Sequence, residues 1–407
     1  MKKTRVAVFN TQPPQLYFGG VERRILEIAK KLSKDHDISI YCGTKKGFKA
    51  TSHINGAAIV PCRSTDIFFP LDNWAFNRTI SGMVDSIEAD VYEAHAVSGY
   101  AFLRELRSRK IRKPFVQTIH GVLADEYLQS SKGEVPTFRT KLSNLFMWQL
   151  SKLESEAAKN ATIVVTVSQY SAHKIIQLYD VDETKIRIVP NGVDTEKFKP
   201  AFDTAEIRQK IGFAQGKKYV LFVGRLVPRK GLNYLVEAAE HVLEENKETV
   251  FVVVGEGPLK NNLISAVKKY RLSSNFVFLS IVSDSLLQDL YSCVNLFVLP
   301  SIQEGQGMAL LEAQAAALPI VAFDVSGVRE AVRDKETGLL VKEIDSNSLS
   351  EAILKLLSDK SLRRKMGQHG REFVQKNFTW DVCAEKMLQV YNEASNMCEL
   401  GKATGQP

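Results

Sequence analysis

The stretch 219-YVLFVGRLVPRKGLNYLVEAAEH-241 reads as one strand–loop–helix unit. Five apolar residues, Tyr219 to Val223, run without the polar alternation of a half-exposed strand, so this strand is expected to be buried on both faces. Gly224, Pro228 and Gly231 break the pattern. Leu232, Leu235, Val236 and Ala239 then recur at helical spacing. A strand covered on both faces and followed by an amphipathic helix belongs in a parallel sheet.

Working outward, the same grammar repeats on both sides. Downstream, strands are expected near 250–254, 276–279, 295–299 and 319–323, with helices near 231–246, 258–270, 285–292 and 307–317. Upstream, strands near 5–9, 38–42, 90–95, 114–119 and 162–167 alternate with helical stretches such as 20–34 and 143–160. The spacing predicts two doubly wound, Rossmann-like α/β domains, which suits a chain of 407 residues. The join falls at 190-PNGVDTEKFKP-200, giving domains 1–195 and 196–378. A helix over 379–396 follows, and 397–407 is expected to fray. Ligands of such sheets bind outside the carboxyl ends of the strands, here expected to face a shared central cleft.

Composition narrows the class. Hydrophobic residues at 44% and charged residues at 25% exclude a disordered or collagen-like chain. No apolar run reaches the ~18 residues that cross a bilayer. The start, MKKTRVAVFN, reads as a first strand rather than a signal peptide. Five scattered cysteines without a CxxC pair suggest reduced thiols and a cytoplasmic setting. Seven histidines show no zinc spacing, so no dedicated metal is expected. The net charge is uneven: 1–195 carries +7 and 196–407 carries +1. The densest basic cluster, 104-RELRSRKIRK-113, reads first as a solvated helix end. A basic half also suits an anionic membrane surface, whereas no nucleic-acid-binding motif accompanies the charge.

The strand ends carry the chemistry. Adjacent Gly19 and Gly20 open a helix whose free N–H groups suit an anion. His120 follows the strand 114–119 directly and precedes Gly121. Arg225 and Lys230 share the loop after 219–223, where a guanidinium and an ammonium beside a helix start suit a diphosphate. After 295–299 comes 300-PSIQEGQGMALLEAQ-314. Glu304 falls in a loop and Glu312 on the next helix, about 12 Å away over eight helical steps, so they are not a close carboxylate dyad. Each can accept hydroxyls from a different part of one ligand. The alanine- and leucine-rich surroundings of Glu312 imply burial, and hence a partner for it.

Taken together, these residues resemble the retaining GT-B glycosyltransferases of family 4. The matching pieces are 19-GGVER-23, His120, the segment 168–200, 224-GRLVPRKG-231, Glu304 with Glu312, 323-FDVSGVREAVRDKETGLLV-341 and Trp380. The resemblance spans nearly the whole chain in the family's order. It implies a GT-B fold and a hexosyl transfer from a UDP- or GDP-linked sugar, with no cofactor and no metal. His120, Arg225, Lys230 and Glu304 would be catalytic. Arg225 and Lys230 would grip the diphosphate, and Glu312 would hold the ribose. Glu304, Gly305, Gln306, Gly307 and Met308 would hold sugar and phosphate, Gly19 and Gly20 would lie near the phosphate and acceptor, and the base would pack near Ile281. The C-terminal helix would cross back to the first domain. Gln306 and Ser280 stand where many members have Phe and Gly, and both touch the donor pocket.

The acceptor is expected to be a lipid-linked or cell-surface glycan. The stretch 136–159 combines Phe138, Leu142, Leu145, Phe146, Trp148 and Leu153 with several lysines. Its first reading is a core-facing helix; its second is peripheral docking on an anionic bilayer. Rival functions are a GT-B nucleotide-sugar epimerase, a starch-type phosphorylase and a non-catalytic nucleotide-sugar or glycan binder. The chain is short for a phosphorylase, and epimerases lack the ordered glutamate pair.

Overall fold

The computed structural model describes residues 3–17, 19–45, 48, 50–65, 67–130, 138–201 and 204–403. The chain divides into two compact units, Met1–Asn191 with Trp380–Pro407, and Gly192–Thr379.

The first unit contains β1 (Arg5–Asn10), β2 (Asp37–Gly43), β3 (Ser52–Ile54), β4 (Ala57–Cys62), β5 (Val91–His95), β6 (Phe115–Ile119), β7 (Ile163–Thr166) and β8 (Ile186–Ile188). They pair in the order β3-β4-β2-β1-β5-β6-β7-β8, and only β3 runs antiparallel to its neighbour. The order reverses between β1 and β5, where a doubly wound sheet opens its crevice. β5 and β6 are buried at every position. Phe9, Tyr92 and Phe102 form an aromatic cluster under the sheet, with Phe9 and Phe102 centroids 4.7 Å apart.

The second unit contains β9 (Lys218–Val223), β10 (Thr249–Val254), β11 (Phe276–Leu279), β12 (Leu296–Leu299), β13 (Ile320–Phe323) and β14 (Gly338–Val341). All are parallel, in the order β11-β10-β9-β12-β13-β14, with the switch between β9 and β12. Leu235, Val236, Ala239 and Val242 of helix Leu232–Glu245 face the core. A fully buried Leu or Phe such as Phe251 contributes about 1.5–3 kcal/mol.

Two expectations are corrected, and four short strands are added. The first unit begins its crossing earlier than residue 195. The Val193 N–H donates to the Phe378 carbonyl at 2.7 Å, and Val193 and Phe198 pack into the second core. Residues 397–403, expected to fray, continue the helix Trp380–Ala403, because Met397, Glu399 and Leu400 favour helix and no proline interrupts them. Short strands β3, β4, β8 and β14 went unread, since three to six residues with small, charged or glycine members lack a decisive pattern. The helix Trp380–Ala403 packs on helix Gly20–Leu32 and on β5 and β6. Met387, Tyr391 and Ala394 are buried there, and Lys31 donates to Asp381 at 2.8 Å.

Candidate functional site

In the second unit the loop after β9 and the loop after β12 meet at the switch point. Gly231 has φ +61°, and a Cβ there would stand 2.0 Å from the Pro300 carbonyl oxygen. Only glycine lets the two backbones approach this closely. The Ile302 N–H donates to the Arg229 carbonyl at 2.9 Å, which ties the loops together. The result is a buried ion pair: Lys230 Nζ donates to Glu304 Oε2, and both residues are 9% exposed. Arg229 Nη1 lies 3.7 Å from Glu304 Oε1, and the Ser301 hydroxyl donates to Oε2 at 3.4 Å. Burial is the largest influence on the Glu304 carboxyl and pushes it up. Lys230, Arg229 and the hydrogen bonds together outweigh burial and hold it below the usual carboxylate range. Arg225 is exposed, and its side chain has no partner among the described residues.

Beyond Glu304 the chain turns into helix Met308–Ala315. Gly307, at φ +86°, is its N-cap, and no side chain caps the helix start. Gln306 is buried, while Gly305 and Met308 are half-buried. A helix start without a side-chain cap, beside buried Lys230 and half-buried Arg229, is suited to phosphate oxygens. Glu312 lies in the same helix, 5% exposed, and accepts a hydrogen bond from the Tyr291 hydroxyl at 2.9 Å. The partner expected for this carboxylate is therefore a tyrosine. Ile281 stands 80% exposed just past β11. β11 lies two strands from β9, about 10 Å at the usual strand spacing.

The first unit brings a different set together. Gly19 and Gly20 are exposed at the start of helix Gly20–Leu32, with no side-chain cap. Glu22, in the first turn, is buried, and burial raises its carboxyl despite a 3.5 Å contact from Asn10 Nδ2. His120 leaves the end of β6 half-buried, with Nε2 2.9 Å from Nδ1 of His95 at the end of β5. The rings stack with centroids 5.1 Å apart. Burial first, then His95 and Arg24, hold His120 well below the usual imidazole range. His95 is lowered to about 4, mainly by burial.

Several contributors escaped the sequence reading. Arg229 lies on the same loop as Arg225 and Lys230, with no local pattern to single it out. Tyr291 lies in helix Asp284–Cys293 with no motif to mark it. His95 carried a usable signal: in 91-VYEAH-95, Glu93 and His95 fall two apart in a strand otherwise apolar, and so share one buried face. Among the described residues, no group of three or more His, Cys, Asp or Glu could hold a metal ion, and no helix is long and apolar enough to cross a membrane.

The stretch 136–159 is corrected in part. Residues 136 and 137 lie outside the described residues, and helix Phe138–Asn160 buries Ser151, Glu154, Ala157 and Ala158 toward its C-terminal end. The helix packs against helix Leu123–Ser130, with the Leu123 N–H donating to Glu154 at 3.1 Å, and its earlier half leaves Leu142, Leu145 and Trp148 exposed. A second segment joins them through a Phe68–Phe146 ring contact at 6.0 Å, with Ile67, Phe68, Phe69, Leu71 and Trp74 also exposed.

Comparison with known proteins agrees with the fold. Residues 203–373 match the family described as Glycosyl transferases group 1, and residues 18–197 match Glycosyltransferase Family 4. The chain is 27% identical over 383 residues to an Escherichia coli UDP-Gal:alpha-D-GlcNAc-diphosphoundecaprenol alpha-1,3-galactosyltransferase, covering 91% of this chain and 93% of that one. Its fold is similar to that of a sucrose-phosphate synthase from Thermosynechococcus elongatus, with TM-score 0.80, 19% identity and coverage of 96% and 99%. It is also similar to Alr3699/HepE from Anabaena, solved with UDP and glucose, with TM-score 0.76, 18% identity and coverage of 96% and 100%. Two parallel-sheet α/β units, the ordered motifs and both family matches lead to one assignment: the chain belongs to the group 1, family 4 glycosyltransferases and has the GT-B fold.

Proposed function

We propose that this glycosyltransferase moves a hexosyl unit from a UDP- or GDP-linked sugar to a hydroxyl of a lipid-linked or cell-surface glycan, with retention at the anomeric carbon. The observation that carries the donor side is the Lys230–Glu304 pair with Arg229 beside it, next to the uncapped helix start at Gly307 at the β9–β12 switch point, with Arg225 exposed on the same loop as Lys230. As the bond from the anomeric carbon to the diphosphate oxygen breaks, negative charge grows on the diphosphate. Arg225, Lys230 and the helix N–H groups meet that charge, in a setting where fixed donors act more strongly than water. Glu312 accepts the ribose hydroxyls, Glu304 and the Gly305–Met308 backbone hold sugar and phosphate, and the base lies along Ile281. The acceptor hydroxyl attacks the face the diphosphate leaves, and a departing phosphate oxygen takes its proton. Side-chain cations then perform the charge neutralisation that a divalent metal would otherwise supply.

For the acceptor, support comes from the exposed aromatic and aliphatic patch of residues 67–74 and 142–148. Lys152 Nζ lies 3.5 Å from the centre of the Trp148 ring, and Arg78 lies 5.7 Å from that of Trp74. Tryptophans flanked by cations suit an anionic bilayer surface. A diphosphoundecaprenol-linked acceptor, named for the Escherichia coli relative, would be held at such a surface.

The test is nucleotide release from UDP-glucose, UDP-N-acetylglucosamine, UDP-galactose, GDP-mannose and ADP-glucose in EDTA, each with and without a crude lipid extract. Release from one UDP or GDP donor, raised by lipid and yielding a product of the donor's anomeric configuration, is the expected result. An absolute need for added magnesium would remove the metal-independent mechanism, an inverted product would remove retention, and failure of every donor would remove the donor site.

A further inference from the structure

Glu93, His95 and His120 occupy one face of adjacent strands in the first unit. Glu93 and His95 lie two apart in β5, and His95 is in register with Thr118 of β6, two residues before His120. That face is covered by Ile25, Ile28, Ala29 and Leu32 of helix Gly20–Leu32 and by Tyr391 of helix Trp380–Ala403. A carboxylate and an imidazole, 2% and 1% exposed, would be costly there without partners. Glu93 has them: Thr118 donates to Oε1 at 2.6 Å and the Tyr391 hydroxyl donates to Oε2. Burial and the Glu93 charge keep the Tyr391 proton in place.

The remaining approach is His95 Nε2, 3.4 Å from Glu93 Oε1. A neutral imidazole carries one proton, and a lone pair on Nε2 this near a carboxylate oxygen would be repelled, so the proton sits on Nε2. His95 Nδ1 is then an acceptor. Among the described residues the one atom bonded to it is His120 Nε2 at 2.9 Å, which must be the donor. His120 is left with its proton on Nε2 and a bare Nδ1, and among the described residues its ring has no other partner.

We propose that Glu93, His95 and Tyr391 are positioning residues that fix the tautomer of His120, so that His120 offers an unprotonated Nδ1 to accept a hydrogen bond from a hydroxyl of the bound sugar. This rests on the transferase reading above. No proton is transferred: the ring orients a hydroxyl, because a histidine this reluctant to take a proton is a poor base but still an acceptor. The C-terminal helix thereby reaches the site through one hydroxyl, Tyr391.

Two measurements decide it. Long-range nitrogen–proton correlation spectra of the full chain with isotope-labelled histidine report which nitrogen of each ring is protonated, and His120→Ala assigns the signal. A proton on His120 Nε2 in the wild type supports the relay; a proton on Nδ1 overturns it, whether or not the enzyme turns over any donor. In kinetics, His95→Phe removes the acceptor and is expected to lower kcat by about 10–100-fold while the KM for the donor changes little. His95→Asn places an amide oxygen near the lost Nδ1 and should recover most of that rate. Equal rates in His95→Phe and wild type, or equal losses in the Phe and Asn variants, would refute the positioning role. Failure of the donor panel with the expected tautomer intact would instead count against the transferase reading alone.

Discussion

The carboxyl edges of the two sheets are built from similar strands but manage polarity in opposite ways. At the ends of β9 and β12, full charges are buried in a pair, Lys230 with Glu304, and Arg229 stands close by. At the ends of β5 and β6, burial suppresses charge, and two imidazoles are held neutral and stacked. On the proposed reading, the difference follows from what each edge would have to meet. A cation that will face a leaving diphosphate has to be charged before the ligand arrives. A buried charge without a counter-ion is expensive, and Glu304 supplies that counter-ion. A ring that orients a hydroxyl needs direction rather than charge, so neutral hydrogen bonds suffice.

The strongest way to break this comparison is Lys230→Ala. Loss of one preorganised donor to the departing diphosphate is expected to lower single-turnover rates by about 10²–10³-fold. The orphaned Glu304 should also reduce stability in urea by about 3–5 kcal/mol. Adding Glu304→Gln should recover much of the stability and none of the rate. A fast Lys230→Ala enzyme would show that the buried pair is structural only. Next in size is acid sensitivity. His95, facing Glu93 on its own strand, His120 beyond β6, Arg24 and Tyr391, is lowered to about 4. An unfolded histidine titrates near ~6.5. The depressed folded value means that stability is complete above pH ~6.5 and drains away as pH falls toward 4, about 2 kcal/mol between pH 7 and pH 5 from this group. Glu304, held below the usual carboxylate range, keeps the Lys230 pair intact over that window. Hydrogen exchange corrected for intrinsic rates should therefore show β5 and β6 losing protection at pH 5 before β9 and β12. Simultaneous loosening would contradict the contrast.

How much of this was written in the sequence differs between the two edges for the same reason. Arg225, Lys230, Glu304 and Glu312 sit in or just after glycine-punctuated loops, and local spacing was enough to single them out. Strands such as 219-YVLFV-223 were readable because five apolar residues in a row leave few alternatives. Pairing across loops was not readable: Lys230 and Glu304 are 74 positions apart, and no local pattern shows that one neutralises the other. Tyr391 and Glu93 are 298 apart and meet only because the last helix lies on the first unit's sheet. The pair 93 and 95 is visible as a period-two polar interruption in a buried strand, but a histidine between a strand end and Gly121 is the plainer local signal. The exposed patch of 67–74 and 142–148 needed the fold, since either segment alone has the composition of an ordinary core-facing helix.

The smallest expected effect also refines the contrast most. Each unit contains a buried tyrosine hydroxyl that donates to a buried carboxylate, Tyr291 to Glu312 and Tyr391 to Glu93. If Glu312 holds the donor's ribose, Tyr291→Phe removes one donor that orients it without touching the Lys230–Glu304 charges. A hydrogen bond to a charged group is worth about 1.5–3 kcal/mol. Part of that is retained by Glu312's other contacts, so a loss of about 1–2 kcal/mol is expected, a factor of about 5–30. The loss should appear in the donor KM with kcat nearly unchanged, since ribose binding is the same in ground and transition states. Loss of kcat at constant KM would place Glu312 nearer the reacting bond than the ribose. In that case the second unit's edge, like the first, would depend on an oriented neutral hydrogen bond at the reacting centre, and charge pairing would no longer separate the two.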